Sequence, residues 1–213
     1  MEHKKEDIIN LWKRICLESD RKAFESFFYL FYNPLVKFCM MYIQQQEIAE
    51  EIVSDTFVKC WNNRANMHDV RLPDTYLFVA VKNQVLNYRK KYSRIHLVQL
   101  DDSEQAQLLD AVTPQSQLEK KELALHLEGA IEALPFQCQV IFRLIKEDGL
   151  KYREVAEILN VSPGTIRTQM FRAMRKLNVS MAGYLNNSST IKVYKDDIIL
   201  NIIIVLLSAK LFF

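Results

Sequence analysis

Residues 152–177 read Tyr-Arg-Glu-Val-Ala-Glu-Ile-Leu-Asn-Val-Ser-Pro-Gly-Thr-Ile-Arg-Thr-Gln-Met-Phe-Arg-Ala-Met-Arg-Lys-Leu, and the spacing predicts two helices joined by a tight turn. Val155, Ala156, Ile158 and Leu159 supply the apolar side of the first helix. Asn160 falls where the turn needs a residue tolerant of left-handed backbone. Ser162 is placed to cap the second helix, with Pro163 at its first position. Ala156 is small where two helices would cross, and Ile166, Met170 and Leu177 turn the second helix inward. Its outer side keeps Thr165, Arg167, Thr168, Gln169, Arg172, Arg175 and Lys176, with four positive charges and no negative one. A helix entering a major groove needs hydrogen-bonding side chains for base edges and cations for phosphates. Two amphipathic helices with a solvated basic face are the blander alternative. Cap, turn, small residue and basic face coincide, and together they favour a helix-turn-helix that reads duplex DNA.

The rest of the chain agrees with a helical protein. The 213 residues hold 49% hydrophobic and 25% charged residues, ordinary globular values that exclude wholesale disorder. Only 4 glycines and 5 prolines occur, where average usage would give about 15 glycines. That scarcity argues against a turn-rich sheet protein and against glycine-rich nucleotide folds. A net charge of +2 predicts no global attraction to polyanions, so any nucleic-acid function rests on local segregation of charge. Cys16, Cys39, Cys60 and Cys138 are widely spaced, without a C-x-x-C, and the four histidines do not cluster. No metal and no cofactor is expected; buried thiols in a reducing cytoplasm are. The charged N-terminus leads into no apolar signal core, so export is not expected.

Upstream, a block from about 7 to 94 is dense in helical periodicity. Ile8, Ile9, Leu11, Trp12 and Ile15 share a face of a first short helix, and Asp20 is placed to cap a second carrying Ala23, Phe24, Phe27, Phe28 and Phe31. Asn33-Pro34 predicts a break, because proline disfavours helical geometry in the residue before it. Another helix spans about 46–62, with Ile48, Ile52, Val53, Phe57, Cys60 and Trp61 on one side and Glu47, Glu50, Glu51 and Asp55 on the other. A polar loop follows to Pro73.

The next helix, about 74–91, carries a second basic surface of Lys82, Asn83, Gln84, Asn87, Arg89, Lys90 and Lys91, with Tyr76, Phe78, Tyr88 and Tyr92 interleaved. No acidic residue lies between Thr75 and Leu100. Cations beside aromatics and amides suit unstacked single-stranded bases as well as phosphates; a solvated helix end over core aromatics is the alternative. Residues 95–117, with Asp101, Asp102, Glu104 and Asp110, read as an acidic linker. The expected fold is all-α: two helical domains, 7–94 and 118–183, joined by that linker, with a hydrophobic tail over 184–213.

The sequences Ile48-Ala-Glu-Glu-Ile-Val-Ser-Asp-Thr-Phe-Val-Lys-Cys-Trp61 and Val161-Ser-Pro-Gly-Thr-Ile-Arg-Thr-Gln-Met-Phe-Arg-Ala-Met-Arg-Lys-Leu177, in this order, closely resemble an extracytoplasmic-function (ECF) sigma factor of the sigma-70 family. The resemblance covers about residues 7–182. It implies a region 2-like domain that binds core RNA polymerase and opens the −10 promoter element, and a region 4-like helix-turn-helix that reads the −35 element. It places Asp55, Phe57 and Trp61 on the polymerase-binding helix. Asn83 and Asn87, flanked by Lys82, Arg89 and Lys90, fall near the −10 strand, and Thr165, Arg167, Thr168, Arg172, Arg175 and Lys176 on the −35-reading helix. Gln169 and Met174 stand where the family often has cations. An anti-sigma factor is implied as a further partner.

Two other functions fit parts of the chain. A nuclease would use Glu47, Glu50, Glu51 and Asp55 as a metal site, but no second carboxylate or histidine cluster converges with them. A helix-turn-helix regulator with a helical sensor domain would bind duplex operators without polymerase. The tail, Ile198 to Phe213, is almost wholly apolar, interrupted by Asn201 and Lys210. Sixteen helical residues would span only about 24 Å of a roughly 30 Å hydrocarbon core, so a membrane anchor is not favoured. The tail is expected instead to fold back onto its own domains or a partner, masking the DNA-reading or polymerase-binding surface.

Overall fold

The computed structural model describes residues 2–93 and 115–187, with side chains described for 5–92 and 122–182. The linker's centre and the apolar tail lie outside the described residues. Among those described there are eight α-helices, one 3₁₀ turn and no strand. They form two compact units. One comprises the first four helices together with residues 156–160; the other holds the remaining described residues.

The first unit is built from α1 (Glu2–Glu18), α2 (Arg21–Met40), α3 (Gln46–Asn63) and α4 (Pro73–Ser93). Ile8, Trp12, Ile15 and Cys16 repeat at helical spacing on α1 and are all buried. Trp12 Nε1 donates to the Met67 carbonyl at 3.1 Å, tying α1 to the segment after α3. Asp20 caps α2 as expected: its carboxylate accepts from the backbone N–H of Lys22 at 2.9 Å and of Ala23 at 3.1 Å. The Arg14 guanidinium also donates to Asp20 at 3.0 Å. The two backbone donors and Arg14 together hold the Asp20 carboxyl below its ordinary range.

The expected break at Asn33-Pro34 is not there. The second helix runs unbroken from Arg21 to Met40 with Pro34 inside it. A proline within a helix removes one backbone hydrogen bond and costs about 3 kcal/mol. The buried stripe Ala23, Phe27, Phe31, Leu35, Phe38 and Cys39 continues across Pro34 without losing phase. Each large apolar side chain taken fully out of water contributes roughly 1.5–3 kcal/mol, so the stripe outweighs the local penalty. The core around it is aromatic: Phe27 lies 5.3 Å from Trp12 and 4.8 Å from Phe31.

The second unit contains α5 (Gln115–Glu132), α6 (Phe136–Lys146), the whole of α8 (Pro163–Asn187) and the start of α7 (Tyr152–Leu159). Helix α5 begins inside the stretch expected to be linker; Gln, Leu, Glu and Lys are good helix formers whose weak apolar pattern hid the start. The α8 helix packs against α5 and α6. The described core here is mainly aliphatic, with Ile131, Leu144, Ile166 and Leu177 at 0–1% exposure beside the buried ring of Phe142. Arg143 reaches from α6 to Glu128 of α5 and, at 2.7 Å, to Glu147. Burial alone would lower the pKa of its guanidinium, but Glu147 and Glu128 outweigh that and hold it above the ordinary value. Gly149 has a φ of 71°, a left-handed turn between α6 and α7 that a side chain would strain.

Candidate functional site

The α7–α8 segment has the local geometry its sequence calls for. Glu154 reaches back to accept from the Lys151 backbone N–H at 2.7 Å, half of a capping box at the start of α7. Asn160 adopts a φ of 56°, a left-handed conformation that asparagine accepts more readily than most residues. Ser162 Oγ then accepts from the Thr165 backbone N–H at 3.0 Å and caps α8. The Thr165 hydroxyl pairs with Ser162 at 2.9 Å, and Thr168 Oγ1 donates to the Gly164 carbonyl at 3.1 Å. Both threonines therefore stand at the start of α8 with their hydroxyls already engaged, and Thr168 turns its methyl-bearing side chain to solvent.

Beyond the cap, Ile166, Met170, Ala173, Leu177 and Met181 form the buried side of α8. Arg167, Arg172, Arg175 and Lys176 are exposed, and none pairs with an acidic side chain among the described residues. Helix α8 carries no acidic residue along its whole length. Among the described residues, no acidic side chain neutralises these four cations. Gln169 turns inward instead, its Oε1 accepting from the Cys138 thiol at 3.1 Å, so it braces α8 on α6. Between the start of α6 and α8 lies an open cleft of about 540 Å³, with Pro135, Cys138 and Val179 among its walls and Arg172, Arg175 and Lys176 around it.

In the first unit the residues expected on α4 split into two stripes. Asn83, Asn87 and Lys90 lie at i, i+4 and i+7 on the outer face, whereas Lys82 and Arg89 lie seven apart along its flank. Asn83, Asn87, Arg89 and Lys90 are exposed and Lys82 is half-buried. Phe78 is 1% exposed, so it belongs to the core and offers no ring to a base. Gln84 is committed to α3, accepting from Lys59 Nζ at 2.8 Å and donating to Thr56. Tyr88 and Tyr92 stack on each other with centroids 4.3 Å apart, and Lys91 lies 5.7 Å from the Tyr92 ring. Burial, Tyr92 and Glu51 together push the Tyr88 hydroxyl up from its ordinary value.

On α3, Asp55 is exposed beside Glu51 and the 57%-exposed Val58. Phe57 is not a surface residue: it is 2% exposed and packs 4.8 Å from Phe28 and 6.1 Å from Phe24. It can support a docking helix but cannot touch a partner. Trp61 is half-buried, 4.9 Å from Phe24, with the Arg64 guanidinium 4.2 Å above its ring. Arg64 also donates to the Trp61 carbonyl at 2.7 Å and to Ser19 Oγ at 3.0 Å. Sequence reasoning missed Arg64, which joins Trp61, three residues before it, to Ser19, forty-five residues away. Glu50, counted among the acidic residues of α3, accepts from Gln46 at 2.7 Å. Among the described residues no three acidic, histidine or cysteine side chains are grouped to hold a metal ion. Burial pushes the thiols of Cys39 and Cys60 up to about 12, which keeps them protonated.

Comparison with known proteins adds to this geometry. Residues 27–95 match the family described as Sigma-70 region 2, and residues 125–177 match Sigma-70, region 4. The chain is 24% identical over 163 residues to the ECF RNA polymerase sigma-E factor of Haemophilus influenzae, covering 73% of this chain and 86% of that one. It is 23% identical over 168 residues to the ECF RNA polymerase sigma-E factor of Escherichia coli K12, covering 76% and 87%. Among solved structures, its fold is similar to the sigma factor RpoE of Bartonella quintana, solved in complex with the anti-sigma factor NepR. The TM-score is 0.56 at 21% identity, over 76% of this chain and 98% of that one. It is also similar to CnrH, solved with the cytosolic domain of CnrY, with a TM-score of 0.54 at 17% identity over 83% and 98%. Two sigma-70 regions in this order, on a framework whose described elements are all helical, define a transcription initiation factor. The chain belongs to the extracytoplasmic-function group of the sigma-70 family.

Proposed function

We propose that this protein binds core RNA polymerase and directs it to promoters by recognising a −10 and a −35 element. The observation that carries this reading is the capped, acid-free α8, whose four exposed cations meet no acidic side chain among the described residues, lying downstream of a region 2 match. A region 2 match in place of a sensor domain disfavours the operator-binding regulator. Residues 7–94 serve as the polymerase and −10 domain, 95–117 as a linker, and 118–183 as the −35 domain. Asp55 offers a carboxylate to a basic polymerase surface, Trp61 borders that contact, and Phe57 holds the helix from behind. Asn83, Asn87 and Lys90 face the opened −10 strand, with Lys82 and Arg89 along the flank of the same helix. Arg167 and Thr168 approach base edges at −35, Arg172 lies beside them, and Arg175 and Lys176 meet phosphates; Thr165 orders the helix start.

The protein acts as a specificity subunit in the cytoplasm and supplies no catalytic step of its own. No described helix is long and apolar enough to cross a membrane. Because the sigma factor RpoE is held by the anti-sigma factor NepR and CnrH by the cytosolic domain of CnrY, an anti-sigma partner is proposed for this chain too. Run-off transcription on genomic fragments, with and without core polymerase, tests the whole reading. Promoter-specific transcripts that need both chain and core are expected. Tight duplex binding by the chain alone, with no transcripts when core is added, would return the regulator.

A further inference from the structure

The cleft between the start of α6 and α8 has a mixed character that a nucleic acid alone does not explain. Its walls include Pro135, Cys138 and Val179, and the long aliphatic stems of Arg172, Arg175 and Lys176 add further apolar surface below their charged heads. Val179 is 71% exposed, which leaves apolar surface uncovered within a rim of positive charge. A phosphate backbone would satisfy the rim and leave the walls wet. An occupant that suits both has an apolar run joined to a short acidic segment.

The chain itself carries such a segment. Residues 198–213 are apolar apart from Asn201, Ser208 and Lys210, and Asp196 and Asp197 stand directly before them. Asp196 lies nine positions beyond Asn187, the last residue of α8, a stretch that extends up to about 30 Å. Going back along α8, Arg172 lies fifteen residues from Asn187, about 22 Å at the helical rise. The acidic pair can therefore reach the cationic rim, with the apolar run laid along the cleft.

We propose that residues 196–213 dock intramolecularly in the α6–α8 cleft, Asp196 and Asp197 meeting Arg172, Arg175 and Lys176 and the apolar run covering Val179. This masks the cations used for promoter DNA and makes the free protein self-inhibited. It rests on the reading of α8 as the −35 helix, and it narrows the expected masking to one surface. Polymerase and DNA compete the tail away, so the inhibition is graded by their concentration.

The test uses the full chain with benzoyl-phenylalanine in place of Ile203. Irradiation followed by peptide mapping should place cross-links in residues 135–138 or 169–179, and Val179→Asp should abolish them. Cross-links elsewhere, or co-sedimentation of the full chain with phosphatidylglycerol–phosphatidylethanolamine vesicles in place of those cross-links, would overturn docking. In parallel, a chain ending at Lys195, assembled with core polymerase, should bind −35 duplex about tenfold more tightly than the full chain, because the competent fraction rises. Asp196→Lys with Asp197→Lys in the full chain should recover part of that gain. Cleft cross-links with unchanged DNA affinity would overturn the masking. Arg172→Ala in the shortened chain separates the two ideas: if it leaves −35 binding intact, the reading of α8 itself has failed, whatever the tail does.

Discussion

Helices α4 and α8 are both basic, yet they carry their charge in opposite ways. The start of α8 is capped by Ser162, and its four cations are spread from Arg167 to Lys176 over an acid-free surface. On α4 the charge gathers at the C-terminal end, in Arg89, Lys90 and Lys91, where it also complements the negative end of the helix dipole. Apart from the half-buried Lys82, the middle of α4 presents the neutral amides Asn83 and Asn87, and its aromatic residues divide between core and surface. A rigid, evenly charged helix suits the regular phosphate spacing of a duplex. Amides beside a stacked tyrosine pair suit bases that have left their stack. Counting positive charges would call the two helices alike; where the charge sits on each separates their work.

The supporting cores differ too, and the largest expected effect attacks that difference. Phe27 and Phe57 knit the first unit together through ring contacts, so Phe27→Ala should remove about 3–5 kcal/mol of its stability. Chemical denaturation followed by circular dichroism should show an early transition, with −35 duplex binding by the second unit persisting at denaturant concentrations beyond it. A single shifted transition that takes both units down together would mean that their stabilities are not separable.

Next in size is Asp55→Arg, which replaces an attractive contact by a repulsive one at about 2–5 kcal/mol if the pair is desolvated. Pull-down of core polymerase should be lost while the far-ultraviolet spectrum stays native. Phe57→Leu, which keeps an apolar residue in the core, should change capture far less. Equal loss from both variants would mean that α3 shape, rather than the Asp55 charge, makes the contact.

Much of this was legible because the signals are local. Asp20 and Ser162 cap helices that begin beside them, Asn160 marks its own turn, and the missing acids of α8 need only be counted. What escaped depends on distant packing. Pro34 reads as a break until Phe31 and Leu35 are known to be buried on either side of it. Phe57 and Trp61 look alike on a helical wheel, and only the rings of α2 decide that one is sealed and the other half open. Gln84 looks like part of a basic surface until Lys59 and Thr56 claim it. Arg64 sits three residues after Trp61, a spacing that allows their contact, but its tie to Ser19 depends on the fold.

A smaller effect sharpens the contrast between reading and clamping. Arg172→Ala should cost roughly 1–3 kcal/mol. If Arg172 contacts a base edge, promoter variants will show relaxed preference at one −35 position. Uniform weakening across all variants, with a shallower salt dependence, assigns it to phosphate instead. The corresponding change on α4, Asn87→Ala, should leave −35 preference untouched and alter only −10 variants. A shift in −35 preference from Asn87→Ala would break the division of labour between the two helices.

The smallest effect compares the two non-glycine residues held at positive φ among the described residues, Ser19 at 54° and Asn160 at 56°. Left-handed backbone costs an ordinary L-residue roughly 1–2 kcal/mol, and asparagine less because its amide can bond locally. Glycine relieves that strain but adds entropy to the unfolded chain. For Asn160→Gly the two terms nearly cancel, and the change in stability should stay within about 0.5 kcal/mol. Ser19→Gly relieves more strain but gives up the hydroxyl that accepts from Arg64. That bond is exposed and contributes about 0.5–1.5 kcal/mol at most, so a small net gain is expected, visible as a slightly higher Tm. Ser19→Ala completes the comparison, since it loses the same hydroxyl and keeps the strain; it should fall below both wild type and Ser19→Gly. If Ser19→Ala equals wild type, the Arg64 bond is idle, and Arg64 does its work on Trp61 alone.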